Sequence, residues 1–202
     1  MSDAGDKDEL IKREAELYLP RNPKAYNVMH TITQGLLAPA AGIDESNANG
    51  YYILLPKNPR RCAKRLHAWL RETYRIRQCG VIITDSRSVP LRRGVVGVSI
   101  AHYGFAPLQD YRGEKDLFGR ELAIAQKNIA DGLAAAAVVA MGEGSECTPL
   151  AVIEDLPYVV FTDRPSGQKK PFSSLEVPLK EDLYYPFVSS VKWRKGGKKD
   201  VM

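Results

Sequence analysis

Apolar residues recur at helical spacing in three stretches of this chain. Residues 8–19 alternate apolar and charged positions, which predicts a short amphipathic helix. Asn58 and Pro59 offer an N-cap and a first helical residue, and the apolar spacing that follows predicts a basic amphipathic helix. The alanine-rich residues 121–141 predict a long helix that Gly142 ends.

Short apolar runs between these helices predict strands. Residues 26–40 fit a hairpin that turns at Gln34-Gly35, and the continuous apolar run 51–55 is typical of a buried strand. Further strands are predicted at 80–84, at 95–101, and over 150–154 with 158–161. Intermixed helices and strands of this kind predict an α+β fold of mixed sheets with packed helices.

The composition changes after residue 162. Residues 163–202 are richer in Pro, Ser and Lys, with one apolar anchor at 183–187 and a basic end. We therefore expect a domain over residues 1–162 and a C-terminal extension over 163–202.

The overall composition of the 202 residues, 44% hydrophobic and 26% charged, is that of a globular protein. The longest apolar run, residues 133–141, is too short to span a bilayer, and the N-terminus is acidic where a signal peptide is basic and then apolar. A cytoplasmic protein without a membrane partner is expected. The spacing of the 3 cysteines suggests neither a zinc site nor a disulfide framework.

The net charge of +5 is unevenly distributed. Residues 57–77 and 190–202 are strongly basic, whereas the remainder of the chain is acidic. Two basic segments on an acidic body are compatible with a nucleic acid, with a phosphate-rich small molecule, or with solvated basic faces.

Familiar nucleotide and hydrolase motifs are missing from the sequence. No segment matches the P-loop pattern, no GxGxxG follows a predicted strand, and no GxSxG accompanies the histidines His30, His67 and His102. Any nucleotide site must therefore be unconventional, and we expect structural roles for the histidines.

Three acidic residues end apolar segments. Asp44 follows the run 36–43, Asp85 follows the strand predicted to end at Thr84, and Glu143 comes just after the alanine-rich helix. Carboxylates at such ends point into crevices, where Mg²⁺ or Mn²⁺ finds oxygen ligands. Acids that stabilise turns are the alternative interpretation.

The segment 110–120 combines two arginines, Arg112 and Arg120, with acids and glycines. Arginine forks suit phosphate or carboxylate groups, and glycines allow a ligand to approach the backbone closely. The segment is either a binding loop or a salt-bridged turn.

Four ordered motifs carry a family resemblance. Residues 41–47 are AGIDESN, 81–86 are VIITDS, 107–120 are PLQDYRGEKDLFGR, and 131–143 are DGLAAAAVVAMGE. Over about residues 11–161 the chain resembles the coenzyme F420 γ-glutamyl ligases, which add L-glutamate to a deazaflavin coenzyme with GTP. The resemblance implies an intertwined homodimer and two Mg²⁺ or Mn²⁺ sites.

The resemblance also implies roles for individual residues. Asp44, Asp85, Ser86 and Glu143 match metal ligands of the family. Asn47 and the segment 141–148 match its nucleotide-contacting positions, and the residues assigned to the nucleotide are Asn47, Met141, Gly142, Gly144, Ser145 and Thr148. Arg112 and Arg120 are candidates to hold a carboxylate or phosphate of the acceptor.

Two departures from the family pattern shape the functional hypothesis. Family members typically have an additional N-terminal segment, and the usual DSFGRPWRxG is here DSRSVPLRRG over residues 85–94. We therefore expect a short, divergent γ-glutamyl ligase that uses GTP or ATP and adds L-glutamate to an acidic coenzyme acceptor through an acyl phosphate. A folate-type γ-glutamyl ligase is one alternative, and a non-catalytic homologue that binds a nucleotide or nucleic acid is another.

Overall fold

The computed structural model describes residues 6–24, 26–162 and 175–197. The chain divides into two compact units: unit 1 comprises Met1–Lys57, Arg87–Val95 and Glu176–Met202, and unit 2 comprises Asn58–Ser86 and Val96–Leu175. Residues 163–174 and 198–202 of the predicted extension lie outside the described residues. The division at residue 162 stays a prediction.

Unit 1 begins with helix α1 (Lys7–Glu14). The Asp6 carboxylate accepts a hydrogen bond from the Asp8 N–H at 3.0 Å, and acids in the first turn and bases in the last complement the helix dipole. Leu10 and Ile11 are buried, and they form a core with Met29 and with the residues Ala15, Ala41 and Ile43. The predicted helix is present, but it ends before residue 15 because the chain enters a strand.

A four-stranded sheet lies in unit 1. Its strands are β1 (Leu17–Tyr18), β2 (His30–Thr33), β3 (Leu36–Pro39) and β8 (Arg194–Lys195), in the order β3-β2-β1-β8. All pairs are antiparallel, and Thr33 faces Leu36 across the turn at Gln34-Gly35. The predicted hairpin is confirmed. The short helix α4 (Tyr185–Val188) also belongs to this unit.

Unit 2 contains the two longest helices, α2 (Pro59–Tyr74) and α3 (Ile129–Met141). Asn58 caps α2 by accepting from the Arg61 N–H at 2.9 Å, as the sequence predicts. Strand β4 (Val81–Ser88) pairs with β5 (Val95–Tyr103), and both strands belong to this unit except at Arg87, Ser88 and Val95. Strand β6 (Leu108–Asp110) pairs antiparallel with β7 (Gln126–Asn128).

Two contacts connect β5 to α3 inside unit 2. A Cβ on Gly97 would lie 2.5 Å from the carbonyl oxygen of Ala134, so the strand packs on the helix at a distance that only glycine permits. The Ser99 N–H donates to the Asp131 carboxylate at 2.9 Å. The small residues of α3 therefore serve close packing, as the alanine run predicts.

Three sequence predictions are wrong. Residues 121–128 are not helical: the hydrogen bonds of Leu122 and Tyr111 close a turn, and residues 126–128 form β7. Residues 51–55 form no named strand, since Tyr52 and Ile53 take part only in isolated bridges, and Tyr51 is exposed. Residues 150–154 and 158–161 form no named strand, although Phe161 bridges Phe105.

The architecture is thus a mixture of helices with several small antiparallel sheets, which agrees with the predicted α+β class. In the parts of the chain that the structure describes, no helix is long and apolar enough to cross a membrane. The predicted apolar anchor at 183–187 is not buried, since Leu183 and Phe187 are largely exposed.

Candidate active site

Asp44 belongs to unit 1, where its backbone is fixed by a bridge. The residue follows the 3-10 turn Ala40–Gly42 and the buried Ile43. Its N–H donates to the Ile53 carbonyl at 3.1 Å, and its own carbonyl accepts from the Ile53 N–H at 2.9 Å. The backbone position from which the Asp44 side chain extends is therefore well defined.

The Asp44 carboxylate is surrounded by donors from the next two residues. Oδ1 accepts from the N–H groups of Glu45 at 2.7 Å and Ser46 at 2.9 Å, and Oδ2 accepts from the Ser46 hydroxyl at 2.6 Å. Burial alone would raise the pKa of Asp44, but these hydrogen bonds outweigh it, and with the positive charge of Lys7 they hold the pKa below its ordinary value. Asn47 follows with a positive φ of 52°.

A second group of predicted residues lies in unit 2. Asp85 and Ser86 are half-buried residues of β4, and Glu143 follows the end of α3. The Ser86 hydroxyl donates to Glu143 Oε1 at 2.5 Å, although the two residues are 57 positions apart. The Ser86 N–H donates to Asp85 Oδ1 at 2.8 Å. Ser86 thereby joins two predicted carboxylate ligands.

Asp85 departs from the sequence prediction in one respect. The prediction ends its strand at Thr84, whereas β4 continues to Ser88. Pairing with β5 extends the strand, so Asp85 and Ser86 are interior residues of β4 rather than the first residues of a turn. Glu143 stands as predicted, directly after the helix and its Gly142 cap.

The segment 141–148 is a compact loop held by its own hydrogen bonds. The Gly142 N–H donates to the Val138 carbonyl at 2.9 Å and ends α3. The Thr148 hydroxyl donates to the Met141 carbonyl at 2.6 Å, which closes the loop. Gly144 and Ser145 lie between these closing contacts.

Glu146 is a residue of this loop that the sequence analysis did not single out. Its carboxylate accepts from the Gly144 N–H at 2.7 Å and lies against Gly142, where it would overlap a Cβ. No local pattern marks this residue in the sequence, because its contacts depend on the conformation of the loop around Gly142 and Gly144.

Arg112 and Arg120 lie in the connection between β6 and β7. The Arg112 guanidinium donates to both carboxylate oxygens of Asp110, at 2.8 and 2.6 Å, and this hydrogen bonding raises the pKa of Arg112. Asp116 Oδ1 accepts from the N–H groups of Phe118 and Arg120, both at 2.9 Å. A salt bridge between Arg112 and Asp110 holds the segment in this structure, and its role as a binding loop stays a prediction.

His102 is held neutral within unit 2. Burial lowers the pKa of His102 to about 4, and the positive charge of Arg60 acts in the same direction. Its ring lies edge-on to Phe105 at a centroid distance of 5.6 Å. Among the described residues its Nε2 has no hydrogen-bond partner.

The predicted residues therefore fall into two groups. Asp44 and Asn47 belong to unit 1, whereas Asp85, Ser86, Glu143 and the loop 141–148 belong to unit 2. Within the described part of either unit, no three His, Cys, Asp or Glu side chains come together as a group that could hold a metal ion. The ligand and nucleotide roles of these residues stay predictions.

Comparison with known proteins identifies the family that the chain matches. Residues 4–155 match the family model described as F420-0:gamma-glutamyl ligase. The chain is 39% identical over 174 residues to the coenzyme F420:L-glutamate ligase of Methanopyrus kandleri, a match that covers 86% of this chain and 67% of the relative.

Two other curated relatives have the same name. The chain is 43% identical over 129 residues to the coenzyme F420:L-glutamate ligase of Methanococcus maripaludis strain C7, covering 64% of this chain and 51% of the relative. It is also 43% identical over 119 residues to that of Methanocaldococcus jannaschii, covering 59% of this chain and 47% of the relative. The chain thus spans about half to two thirds of the length of these relatives.

Proposed function

The chain belongs to the F420-0:gamma-glutamyl ligase family, and on that premise we propose that it is a nucleotide-dependent γ-glutamyl ligase that extends an acidic coenzyme acceptor by L-glutamate. The curated relatives support ligation of glutamate to coenzyme F420. The use of GTP or ATP, the acyl phosphate and the divalent metals are the further parts of this proposal.

One observation carries the proposal: the hydrogen bond of 2.5 Å between Ser86 and Glu143. It unites a strand and a helix end that lie far apart in sequence, and both residues match ligand positions of the family. With Asp85 bonded to the Ser86 N–H, the group presents two carboxylates and a hydroxyl. Turn-forming acids need no such long-range partner.

The donor set fits a hard divalent cation. Mg²⁺ and Mn²⁺ prefer carboxylate and hydroxyl oxygens, and Mg²⁺ is commonly bound by one or two carboxylates together with substrate phosphates. Asp85, Ser86 and Glu143 would hold one cation, and Asp44 would contribute to a second. When bound, the metals would neutralise charge on the phosphate groups during phosphoryl transfer.

The loop 141–148 would contact the nucleotide. Backbone N–H groups near a phosphate stabilise its charge without any reorganisation of the solvent. The Gly144 N–H now donates to the Glu146 carboxylate, an anion of the kind that a phosphate oxygen could replace. Met141, Gly142, Ser145 and Thr148 would orient the nucleotide, and in unit 1 Asn47 is proposed as a nucleotide-binding residue.

The reaction would proceed in two steps. A carboxylate oxygen of the acceptor attacks the γ-phosphorus of the nucleotide, which gives an acyl phosphate and a nucleoside diphosphate. The amine of glutamate then attacks the acyl carbon, inorganic phosphate leaves, and the nitrogen loses its proton as the amide forms. Arg120, and Arg112 after exchange of its Asp110 partner, would bind an acidic group of the acceptor.

The segment 85–94 would define the acceptor. Arg87, Arg92 and Arg93 keep it cationic, while Leu91 is fully exposed in place of the tryptophan of the usual family pattern. We expect a pterin-glutamate or another glutamyl acceptor to be extended at least as readily as the deazaflavin coenzyme.

Exposed apolar residues of unit 2 favour a homodimer. Leu117 and Phe118 are 98% and 94% exposed, and Val139, Leu150 and Val152 are similarly open. Large apolar side chains that face water cost free energy, which a second copy of the chain would recover by covering them.

The decisive experiment supplies the protein with Mn²⁺, GTP or ATP, and labelled glutamate, together with either the deazaflavin coenzyme or a pterin-glutamate. Mass spectrometry should detect an acceptor heavier by one glutamyl unit, and Asp85→Asn and Glu143→Gln should each lower the rate at least 100-fold. The control is Glu154→Gln, which neutralises an exposed acid of the same unit.

The outcomes separate the alternatives. Extension of the pterin-glutamate alone would establish the folate-type activity, and extension of the deazaflavin alone would refute the expected change of acceptor. Nucleotide binding without extension of either acceptor would establish a non-catalytic homologue and overturn the proposed activity.

A further inference from the structure

The side of α2 that carries Lys64, His67 and Arg71 forms one wall of an open groove in unit 2. The groove has a volume of about 650 Å³, within the range of pockets that hold small molecules. It is lined by Lys64, His67, Ala68, Arg71, Glu72, Arg75, Ile76, Arg77 and Tyr103. We call it the α2 groove. None of these positions belongs to the candidate active site.

Two backbone features shape the α2 groove. Arg75 ends α2 with a positive φ of 54°, and this sharp turn places Ile76 and Arg77 in the lining. At Gly104, directly after β5, a Cβ would lie 2.6 Å from the His67 ring, so the chain can approach α2 this closely only with glycine there. The groove is therefore a defined part of the fold.

The far wall is aromatic. The Tyr103 ring lies edge-on to the buried His67 at a centroid distance of 5.0 Å. Lys64 Nζ lies 6.0 Å from the centroid of the Tyr103 ring. The Lys64 ammonium and the Tyr103 ring thus lie side by side in the lining, where both can contact a ligand in the groove.

The charge of the lining is strongly positive. Lys64, Arg71, Arg75 and Arg77 stand against Glu72, the one acid among the described lining residues. The C-terminal end of a helix carries about half a negative charge, which would be a sufficient reason for one nearby cation such as Arg75. That partial charge is far smaller than the charge of the four cations together. Lys64, in the first half of α2, lies too far from that end for this explanation.

The arrangement favours a small ligand over a nucleic acid. Proteins that bind single strands place aromatic rings along the cationic groove, so that bases stack where phosphates pair. Here the exposed aromatic pair of α2, Trp69 and Tyr74, with centroids 5.8 Å apart, is not part of the lining. The cations converge instead on a single concavity.

We propose that the α2 groove binds a small polyanion, a ligand with several phosphate or carboxylate groups. The guanidinium groups of Arg75 and Arg77 and the Lys64 ammonium would pair with its anionic groups, and Tyr103 would cover its less polar part. This binding requires neither the metal site nor ligase activity, so it stands independently of the proposed function.

Isothermal titration calorimetry in metal-free buffer tests this proposal with two probes, inorganic tripolyphosphate and tri-γ-glutamate. At least one should bind, and the double variant Arg75→Gln/Arg77→Gln should lower its affinity at least tenfold. The matched control, Arg61→Gln/Arg65→Gln, removes the same charge from exposed positions of α2 outside the lining and should change the affinity less than twofold.

Each result decides the question. Tighter binding of tripolyphosphate would indicate a phosphorylated ligand, and tighter binding of tri-γ-glutamate a polycarboxylate. Binding of neither probe, or an equal loss in both double variants, would overturn the proposal. Should the first double variant melt early, Lys64→Gln should still weaken binding several-fold.

One further variant and one further probe exclude other sites and partners. Asp85→Asn should leave the affinity unchanged, because the candidate active site does not contribute to the α2 groove. A homopolymeric RNA that binds more tightly than both small probes and competes with them would overturn the choice of a small ligand.

Discussion

At the scale of single residues, Asp44 fits two interpretations at once. Its carboxylate orders the turn through Glu45 and Ser46, and the same hydrogen bonds keep it ionised. An acid that only stabilised a turn would serve as well in its amide form, because Asn also accepts from backbone N–H groups. A metal ligand would not serve as well in its amide form, because the amide has no negative charge.

We therefore predict that Asp44→Asn leaves the fold nearly unchanged, with a loss of less than about 1 kcal/mol in the free energy of unfolding, but weakens Mn²⁺ binding at least tenfold. The remaining oxygen still accepts from the backbone, and the Ser46 hydroxyl can accept from the new amide. Urea unfolding and calorimetric titration with Mn²⁺ measure the two effects. An unchanged Mn²⁺ affinity would leave Asp44 as a turn residue only.

His102 gives the protein a specific dependence of stability on pH. Its pKa is about 4 in the folded protein, whereas an unfolded histidine has a pKa of about 6.5, so the unfolded state binds the proton first. The contribution of His102 to the free energy of unfolding should be fully present above about pH 6.5. It should decrease as the pH falls toward 4, by no more than about 3 kcal/mol.

The variant His102→Gln isolates this contribution, since glutamine does not titrate. Denaturant unfolding at pH 7 and pH 4.5 should show a smaller difference for the variant than for the unaltered chain, while the carboxylates titrate in both. Equal differences in the two proteins would mean that His102 is accessible to protons in the folded state.

At the scale of elements, two glycines of unit 2 should respond oppositely to alanine. Gly97→Ala brings a Cβ against the Ala134 carbonyl and should destabilise the protein by about 1–3 kcal/mol. Gly132, inside α3, has open space within 4 Å of the point where a Cβ would lie, so Gly132→Ala should stabilise the protein by about 0.5–1 kcal/mol. Thermal unfolding compares the two, and a stabilising Gly97→Ala would contradict the packing described.

The sequence predicts elements well where a local signal defines them. Asn58 and Pro59 locate the start of α2, and the Gln34-Gly35 turn locates the hairpin. Residues 51–55 mislead because an apolar run is typical of a buried strand, although in this structure Tyr52 and Ile53 form only isolated bridges. Such pairing depends on distant residues and is invisible to local patterns.

The candidate site shows the same limit. The acids Asp44, Asp85 and Glu143 are identified from their positions at the ends of apolar segments, but the hydrogen bond that joins Ser86 to Glu143 spans 57 positions. Glu146 escaped notice because its role depends on the loop conformation around Gly142 and Gly144. The candidate residues can be identified from the sequence, whereas the contacts that they make cannot.

At the scale of the whole molecule, the exposed apolar residues predict self-association. Sedimentation equilibrium should give about twice the chain mass of 22.4 kDa. Phe118→Asp with Val152→Asp should shift the protein toward the monomer, because a buried charge without a partner opposes the interface. Glu114→Lys, on an exposed residue of the same β6–β7 connection, is the control. A monomer at all concentrations would contradict the proposed dimer.

The pairing of β8 with β1 has a consequence for how the protein is made. During translation β1, β2 and β3 leave the ribosome early, but the edge strand Arg194–Lys195 follows on the order of ten seconds later. Unit 2 is synthesised in full before that strand appears. The nascent chain must therefore keep an unpaired edge of β1 from joining other chains until Arg194–Lys195 is available, so the N-terminal sheet is finished only after unit 2 has been synthesised.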